Sequence, residues 1–356
     1  MVARTPGRPR RPRQADIARL AGVSQATVSM VINNRSGRYQ QITEDTRRRV
    51  WDAVDELGYV VNPAARTLAG GRNSVVGVYT FESVFPVDHR DFYYPFFVGI
   101  EEEAERQGLD LLLFSSASGP DRNRTIYRGG VNRLGLADGC VLLGRHGDGQ
   151  DLERLANDAF PFVMIGRREM ETGTIPYVGA DYEGATASVV AHLANHGHQR
   201  IVLLSWPDEL EPTVDRQRGF QRGCREAGVD DDPKLLRSVA DDEVTDRLLS
   251  ELVTDGVTAA IAQDDAIAVR LEAAASQLGM AVPGDLSVAV LGDPPRGEPS
   301  GRGWTGFSIP RQEMGATAVS MLVDQLEAGP ENGTDQLLVA CPLQEGTTTA
   351  RVPKRP

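Results

Sequence analysis

The stretch Asp16-Ile17-Ala18-Arg19-Leu20-Ala21-Gly22-Val23-Ser24-Gln25-Ala26-Thr27-Val28-Ser29-Met30-Val31-Ile32-Asn33 decides how the rest of the chain is read. Its spacing predicts two short helices with a tight turn between them. Ile17, Leu20 and Ala21 recur at helical intervals and are expected to face one core. Gly22 suits the turn, because glycine enters positive φ without a steric penalty. Val23 can fill the space between the helices. Ser24 is a good N-cap for the second helix, its hydroxyl oxygen accepting backbone N–H bonds. Val28, Val31 and Ile32 then point inward. Gln25, Ala26, Thr27, Ser29 and Met30 are left on the outer surface. A helix-turn-helix of this kind lays its second helix in the DNA major groove, with its N-terminal residues toward the base edges.

Outward from this unit the helical pattern continues. Thr43 caps a third predicted helix that carries Val50, Ala53, Val54 and Leu57 at core spacing and leaves Thr46 and Arg47 outside. Gly58 ends it in the left-handed manner usual at helix C-termini. Asn62-Pro63-Ala64-Ala65-Arg66-Thr67-Leu68-Ala69 is one short helix, with Asn62 as cap and Pro63 in the first turn. It has no core of its own and is followed by Gly70-Gly71. On its residues alone it is a linker.

The words Asp16-Ile17-Ala18, Ala21-Gly22-Val23-Ser24, Ala26-Thr27-Val28-Ser29, Thr46-Arg47, Leu57-Gly58-Tyr59 and Asn62-Pro63-Ala64-Ala65-Arg66 follow one another in this order. With the core behind them they resemble the LacI/GalR family of transcription regulators, over nearly the whole chain from about Gln14. The resemblance implies a homodimer on a pseudo-palindromic double-stranded operator. It implies that Asn33, Thr46, Tyr59, Asn62, Arg66 and Leu68 join Ser24, Gln25, Ala26, Thr27, Ser29 and Met30 in contacting DNA. Residues 62–69 then become a hinge helix that forms on the operator beside its dimer mate, with Leu68 wedged into a minor-groove base step. Residues 34–42 form a longer loop than in the family's shortest members, so contacts there do not carry over by position.

The charge distribution agrees with a DNA-binding head. The net charge is −12, yet residues 1–73 hold thirteen Lys or Arg against six Asp or Glu. The head is therefore basic and the remainder strongly acidic, which confines polyanion contact to the head. Residues 1–13, rich in Arg and Pro, are expected to be a disordered basic arm. Pro6-Gly7-Arg8-Pro9-Arg10 reads either as phosphate attraction without sequence preference or as a short minor-groove clamp. Cys140, Cys224 and Cys341 are far apart and suit a reducing cytoplasm rather than a disulfide frame or zinc site. No apolar run is long enough for a membrane span. The basic N-terminus lacks the apolar segment of a secretion signal, which argues against a periplasmic transport receptor.

From Ser74 the pattern changes to alternating strand and helix. Strands are expected at Val75-Val76-Gly77-Val78-Tyr79, residues 109–114, Cys140-Val141-Leu142-Leu143 and Phe162-Val163-Met164-Ile165, with a helix over 98–107. A second set follows, with strands at Ile201-Val202-Leu203-Leu204, Ala259-Ala260-Ile261-Ala262 and Val288-Ala289-Val290-Leu291, and helices over 216–227 and 266–278. This βαβ alternation implies parallel sheets with right-handed crossovers. The expected fold is thus an all-α helix-turn-helix head plus a two-lobed α/β core of periplasmic-binding-protein type. The expected division is 1–13 arm, 14–61 head, 62–73 hinge and linker, and 74–356 effector-binding and dimerisation core. Within the core, one lobe takes about 74–175 and 305–325, the other about 176–304 and 326–350.

Ligands of open α/β sheets bind beyond the carboxyl ends of the strands, here the cleft between the lobes. Asp91-Phe92-Tyr93 occupies the place of a Pro-Phe-Phe word that the family carries beside its ligand. Aromatic faces stack on sugar rings and carboxylates accept their hydroxyls; core packing is the other reading, preferred for Phe96 and Phe97. By resemblance, Arg216 holds ligand hydroxyls or a carboxylate through its planar fork. Asp264 matches the family's ligand-contacting position, and Asp265 is read as the helix cap. Gly292 stands where many relatives have an acid, so Asp293 is the candidate there. Arg167 and Asp181 complete the set, although Asp181 is as well explained by helix capping.

Two patterns are decoys. Gly301-Arg302-Gly303-Trp304-Thr305-Gly306 spells GxGxxG in a Gly/Pro-rich loop, not between a strand and a helix. His192, His196 and His198 have near-metal spacing, but Leu193 replaces the glutamate of HExxH. No catalytic constellation stands out, and no cofactor or metal is expected. The function expected is a DNA-binding regulator, most simply a cytoplasmic repressor, controlled by a small effector such as a sugar. A purine or phosphorylated metabolite as effector, or a plain solute-binding module, are the alternatives. The residues after Thr349 contain no heptads, so a dimer is expected rather than a tetramer.

Overall fold

The computed structural model describes residues 12–32, 42–59, 72–82, 90–115, 124–145, 149–292, 303–329 and 335–352. The chain divides into two compact units, Met1–Val75 and Val76–Pro356. In the first, α1 (Gln14–Ala21), α2 (Gln25–Ile32) and α3 (Glu44–Leu57) enclose a small core of Ile17, Ala18, Ala21, Val28, Val31, Ile32, Val50, Ala53 and Val54. Gly22 closes α1 at φ 65 and Gly58 closes α3 at φ 57. The Ser24 hydroxyl oxygen accepts the Thr27 N–H at 3.1 Å, and that of Thr43 accepts the Thr46 N–H at 3.4 Å. Leu20 departs from expectation: it is 46% exposed, and Ala18 is buried in its stead. At 100° per residue the buried arc of Ile17, Ala18 and Ala21 is centred about 100° from Leu20, off the contact face.

The second unit holds two parallel-type sheets. Its first strands are β1 (Val75–Thr80), β2 (Asp110–Phe114), β3 (Tyr127–Arg128), β4 (Val131–Asn132), β5 (Gly139–Leu143), β6 (Phe162–Ile165) and β7 (Tyr177–Ala180), with α4 (Arg90–Arg106) and α5 (Gly149–Asn157) between them. There follow α6 (Tyr182–Asn195), β8 (Ile201–Ser205), α7 (Glu211–Ala227), β9 (Leu236–Ser238), α8 (Asp246–Thr254), β10 (Ala259–Ala262), α9 (Asp265–Gln277), β11 (Ser287–Val290), β12 (Thr305–Phe307), α10 (Arg311–Ala328), β13 (Gln336–Val339) and β14 (Leu343–Gln344). One six-stranded sheet runs β13-β7-β6-β5-β1-β2 and the other β14-β12-β11-β10-β8-β9. The central strands are buried on both faces, as parallel strands covered by helices must be.

The chain crosses between the lobes three times, after β7, β12 and β13, and this corrects the expected lobe boundaries. β7 stays in the first sheet, so the first crossing falls near residue 181 instead of 175. Thr305 to Phe307, expected in the first lobe, pair with β11 in the second sheet. A side chain on Gly306 would meet the Val290 backbone, so glycine permits that pairing. Residues 326–339, expected in the second lobe, belong to the first, because α10 packs Met314, Ala318, Val319 and Leu322 toward α4 and β5 to β7. Helix α4 also begins at Arg90 and not at 98, so Phe92 and Tyr93 lie within it. Among the described residues no helix is long and apolar enough to cross a membrane.

Candidate functional site

In the head, the capped turn Gly22–Ser24 sets α2 so that Val28, Val31 and Ile32 are buried, while Ser24, Gln25 and Ala26 are exposed and Thr27, Ser29 and Met30 are half-buried. The Ser24 and Thr27 hydroxyls are 2.9 Å apart, so both are fixed by capping. Thr46 is similarly engaged, its hydroxyl accepting from Thr43 at 2.9 Å. Tyr59 packs against the head core. The basic residues of α3 form short-range pairs along the helix: Arg47–Glu44, Arg48–Asp45 and Arg49–Asp45. Exposed pairs of this kind are weak enough to exchange for phosphates. Asn33, Asn62, Arg66 and Leu68 lie outside the described residues, as do most of the basic arm and the loop before Ile42.

In the core, the strand ends build a pocket. Adjacent strands β5 and β6 are paired Leu143↔Ile165, and each leaves the sheet through the same turn. Leu143-Gly144-Arg145 and Ile165-Gly166-Arg167 both place glycine at positive φ, 140 and 108, which sends the arginines side by side toward the opposite lobe. The space between the lobes measures about 660 Å³ when the open solvent at its mouth is included. Phe92, Tyr93, Phe96, Leu143, Ile165 and Met314 line one side. Tyr182, Leu210, Pro212 and Asp215 line the other, with Arg145, Arg167 and Arg168 at the seam.

The charged groups of the seam are paired across it. Arg167 donates through Nε at 2.8 Å and Nη2 at 2.7 Å to the two carboxylate oxygens of Asp215, and through Nη1 at 2.6 Å to Glu169. Burial opposes the Arg167 charge, but its hydrogen bonds to Asp215 and Glu169 outweigh this and raise the guanidinium above its ordinary value. Arg168 donates to Glu211 at 3.0 Å and to the Gly144 and Arg145 carbonyls, each at 3.0 Å. Its Nε is buried and has no hydrogen-bond partner among the described residues. Arg145 lies 4.3 Å over the Trp206 ring and 3.5 Å from Asp208. The Tyr93 hydroxyl donates to Glu82 at 3.0 Å; burial, then that carboxylate, push the phenol well above its ordinary range and keep it a donor.

The pocket therefore gathers Phe92, Tyr93 and Arg167 from the candidates read in the sequence. Arg216 lies one layer behind it. Its guanidinium is buried, stacked 3.8 Å over Tyr182, and donates to the Pro212 and Leu291 carbonyls at 3.0 and 3.3 Å. Asp181 caps α6, accepting the Gly184 N–H at 2.8 Å. Asp264, not Asp265, caps α9, accepting the Ile267 N–H at 2.9 Å; its extended backbone is the geometry a cap requires, whereas Asp265 is already helical. The Asp91 side chain and all of Asp293 lie outside the described residues. Arg145, Arg168, Tyr182 and Asp215 were missed. Three of them adjoin a residue that was singled out, and the repeated aliphatic-Gly-Arg word was the available signal for the fourth.

The histidines hold the C-terminal segment. His198 joins Thr258 at 2.9 Å and the Ala350 carbonyl at 3.0 Å, and His192 meets Thr349 at 3.3 Å. No group that could hold a metal ion occurs among the described residues. All three cysteines are buried and none is in a disulfide.

Residues 15–62 match the family described as bacterial regulatory proteins, lacI family, and residues 190–349 match the periplasmic binding protein-like domain. The chain is 29% identical to the HTH-type transcriptional regulator CelR of Thermobifida fusca, over 90% of this chain and 93% of that one. It is 28% identical to the catabolite control protein A of Streptococcus mutans serotype c, over 86% and 89%. Its fold matches a transcriptional regulator CelR–cellobiose complex with TM-score 0.62 at 26% identity, covering 95% of this chain and all of that one. It also matches a Lac repressor dimer bound to operator with TM-score 0.65 at 22% identity, covering 96% and 100%.

Proposed function

Because the chain belongs to the lacI family of bacterial regulatory proteins, we propose that it is a repressor, not an enzyme, that binds a pseudo-palindromic operator as a homodimer. It acts inside the cell, on DNA, and its effector is a neutral sugar held between the lobes. The observation that carries the effector reading is the pocket's charge state. Phe92 and Tyr182 line a space whose Arg167 and Arg168 are already paired with Asp215 and Glu211. An anionic ligand that took over Arg167 would leave Asp215 buried without its partner, a costly state. A sugar ring keeps the pairs intact and packs against the aromatics. Cellobiose heads the panel to be tried, since it is bound in one structural relative.

On the operator, Gln25, Ala26, Thr27, Ser29 and Met30 read base edges, and the hinge around Asn62, Arg66 and Leu68 occupies the minor groove. Ala26 and Met30 favour contact with thymine methyls over bidentate guanine readout. Selection of duplexes from a random pool by the full chain, followed by footprinting with and without each sugar, tests this. An inverted repeat whose protection changes with at least one sugar is expected. A footprint that never changes across the panel would overturn sugar control, and selected sequences without two-fold symmetry would overturn the dimer.

A further inference from the structure

The two lobes carry opposite charge where they meet, and the pairing has a direction. On the first lobe stand Arg145, Arg167 and Arg168, fixed by the twin turns after β5 and β6. On the second stand Asp208 and, one turn apart on the first turns of α7, Glu211 and Asp215. The pairs are Arg167–Asp215 at 2.7 Å, Arg168–Glu211 at 3.0 Å and Arg145–Asp208 at 3.5 Å. A looser contact, Arg218–Glu169 at 3.9 Å, runs the other way.

These groups differ in how much solvent screens them. The side chains of Arg167 and Asp215 are 15% and 9% exposed, and those of Arg168 and Glu211 12% and 15%, while Arg145 and Asp208 are 39% and 31%. Two pairs thus work in a low-dielectric seam, and the third guards the mouth. The backbone joins in, since the Glu169 N–H donates to Glu211 at 3.1 Å. The Arg168 guanidinium also braces the neighbouring turn through the Gly144 and Arg145 carbonyls. The same arginines and Asp215 line the pocket, so nothing can pass between pocket and seam without touching them.

We propose that Arg145, Arg167 and Arg168, with Asp208, Asp215 and Glu211, form an interlobe clasp that holds the two lobes of the core together. Opening the lobes parts Arg145, Arg167 and Arg168 from Asp208, Asp215 and Glu211 together, so the clasp makes opening cooperative and sets how often the pocket admits a ligand. Because the pairs join both walls, breaking the clasp from either lobe loosens the other. This stands on the core alone and does not need the effector to be a sugar or the head to be on DNA.

Hydrogen exchange on the full-length protein without ligand tests the clasp. The isosteric double variant Glu211→Gln/Asp215→Asn alters only the second lobe. The expected result is exchange faster by about tenfold or more in residues 166–169 of the first lobe, while β5 and β6 keep their protection. The reciprocal variant Arg167→Met/Arg168→Met is expected to raise exchange in residues 206–215 by a similar factor. Faster exchange confined to whichever lobe carries the change would overturn the clasp. Should a double variant not fold, the single variants Asp215→Asn and Arg168→Met decide. Faster exchange in the lobe opposite each change supports the clasp, and faster exchange confined to the changed lobe contradicts it.

Discussion

Met30 shows how much one position decides. It lies half-buried on α2 beside the exposed Gln25 and Ala26, where a flexible thioether meets an apolar groove edge better than a hydrogen-bonding one. Met30→Arg is expected to turn the selected half-site toward guanine at the facing step, with discrimination of about 1–3 kcal/mol for a good bidentate contact. Selection with both proteins, read base by base, checks this; identical half-sites would show that Met30 does not face a base. In the core, single residues were harder to read. Arg216 was visible as an arginine at a helix entrance, but its neighbour Asp215 is the one that reaches the pocket. Helical phase separates them by about 100°, and sequence spacing alone does not say which of two adjacent polar residues turns inward. The same ambiguity of one residue separates Asp181 from Tyr182.

At the scale of elements, α4 and α10 pack through glycine. A methyl on Gly99 would run into the Gln312 carbonyl, and one on Gly315 into the Phe96 carbonyl. Gly99→Ala and Gly315→Ala are each expected to destabilise the core by about 1–3 kcal/mol, measured by denaturant unfolding; unchanged midpoints would mean that the helices stand further apart. The C-terminal segment gives a pH dependence. Burial disfavours the imidazolium of His192 and His198, and for His192 the His196 charge adds to this while Glu345 only partly offsets it. Both rings therefore bind protons less readily folded than unfolded, where the ordinary value is 6.5. Their stabilisation is complete above that value and is lost as pH falls below it through the lower folded values. The melting temperature should drop between pH 7.5 and 5.5, and His192→Gln/His198→Gln should flatten that slope; equal slopes would contradict the assignment. Elements were the most legible level of the sequence. Helix caps at Ser24, Thr43, Gly22 and Gly58, and the aliphatic strand runs, announce themselves through local chemistry. Lobe membership does not, because β7, β12 and β13 are assigned by which strands they pair with, and β13 pairs with β7 from the far end of the chain.

For the whole molecule, the proposed function joins a basic head that meets DNA to an acidic two-lobed core that meets a ligand. A ligand in the cleft influences DNA only through a difference in its affinity for the DNA-competent and DNA-incompetent states, and coupling of this kind amounts to about 1–3 kcal/mol. The clasp of Arg145, Arg167 and Arg168 gives the core two definable arrangements between which a ligand can choose. Removing it should therefore change the response to ligand more than the folding of either sheet. The most direct measurement takes the full-length protein, a selected operator duplex and a sugar that calorimetry shows to bind the protein. Operator half-saturation is read by fluorescence anisotropy with and without that sugar at saturation and at fixed salt. A shift of about fivefold or more is expected. A sugar bound at one per chain that leaves the half-saturation point where it was would contradict it.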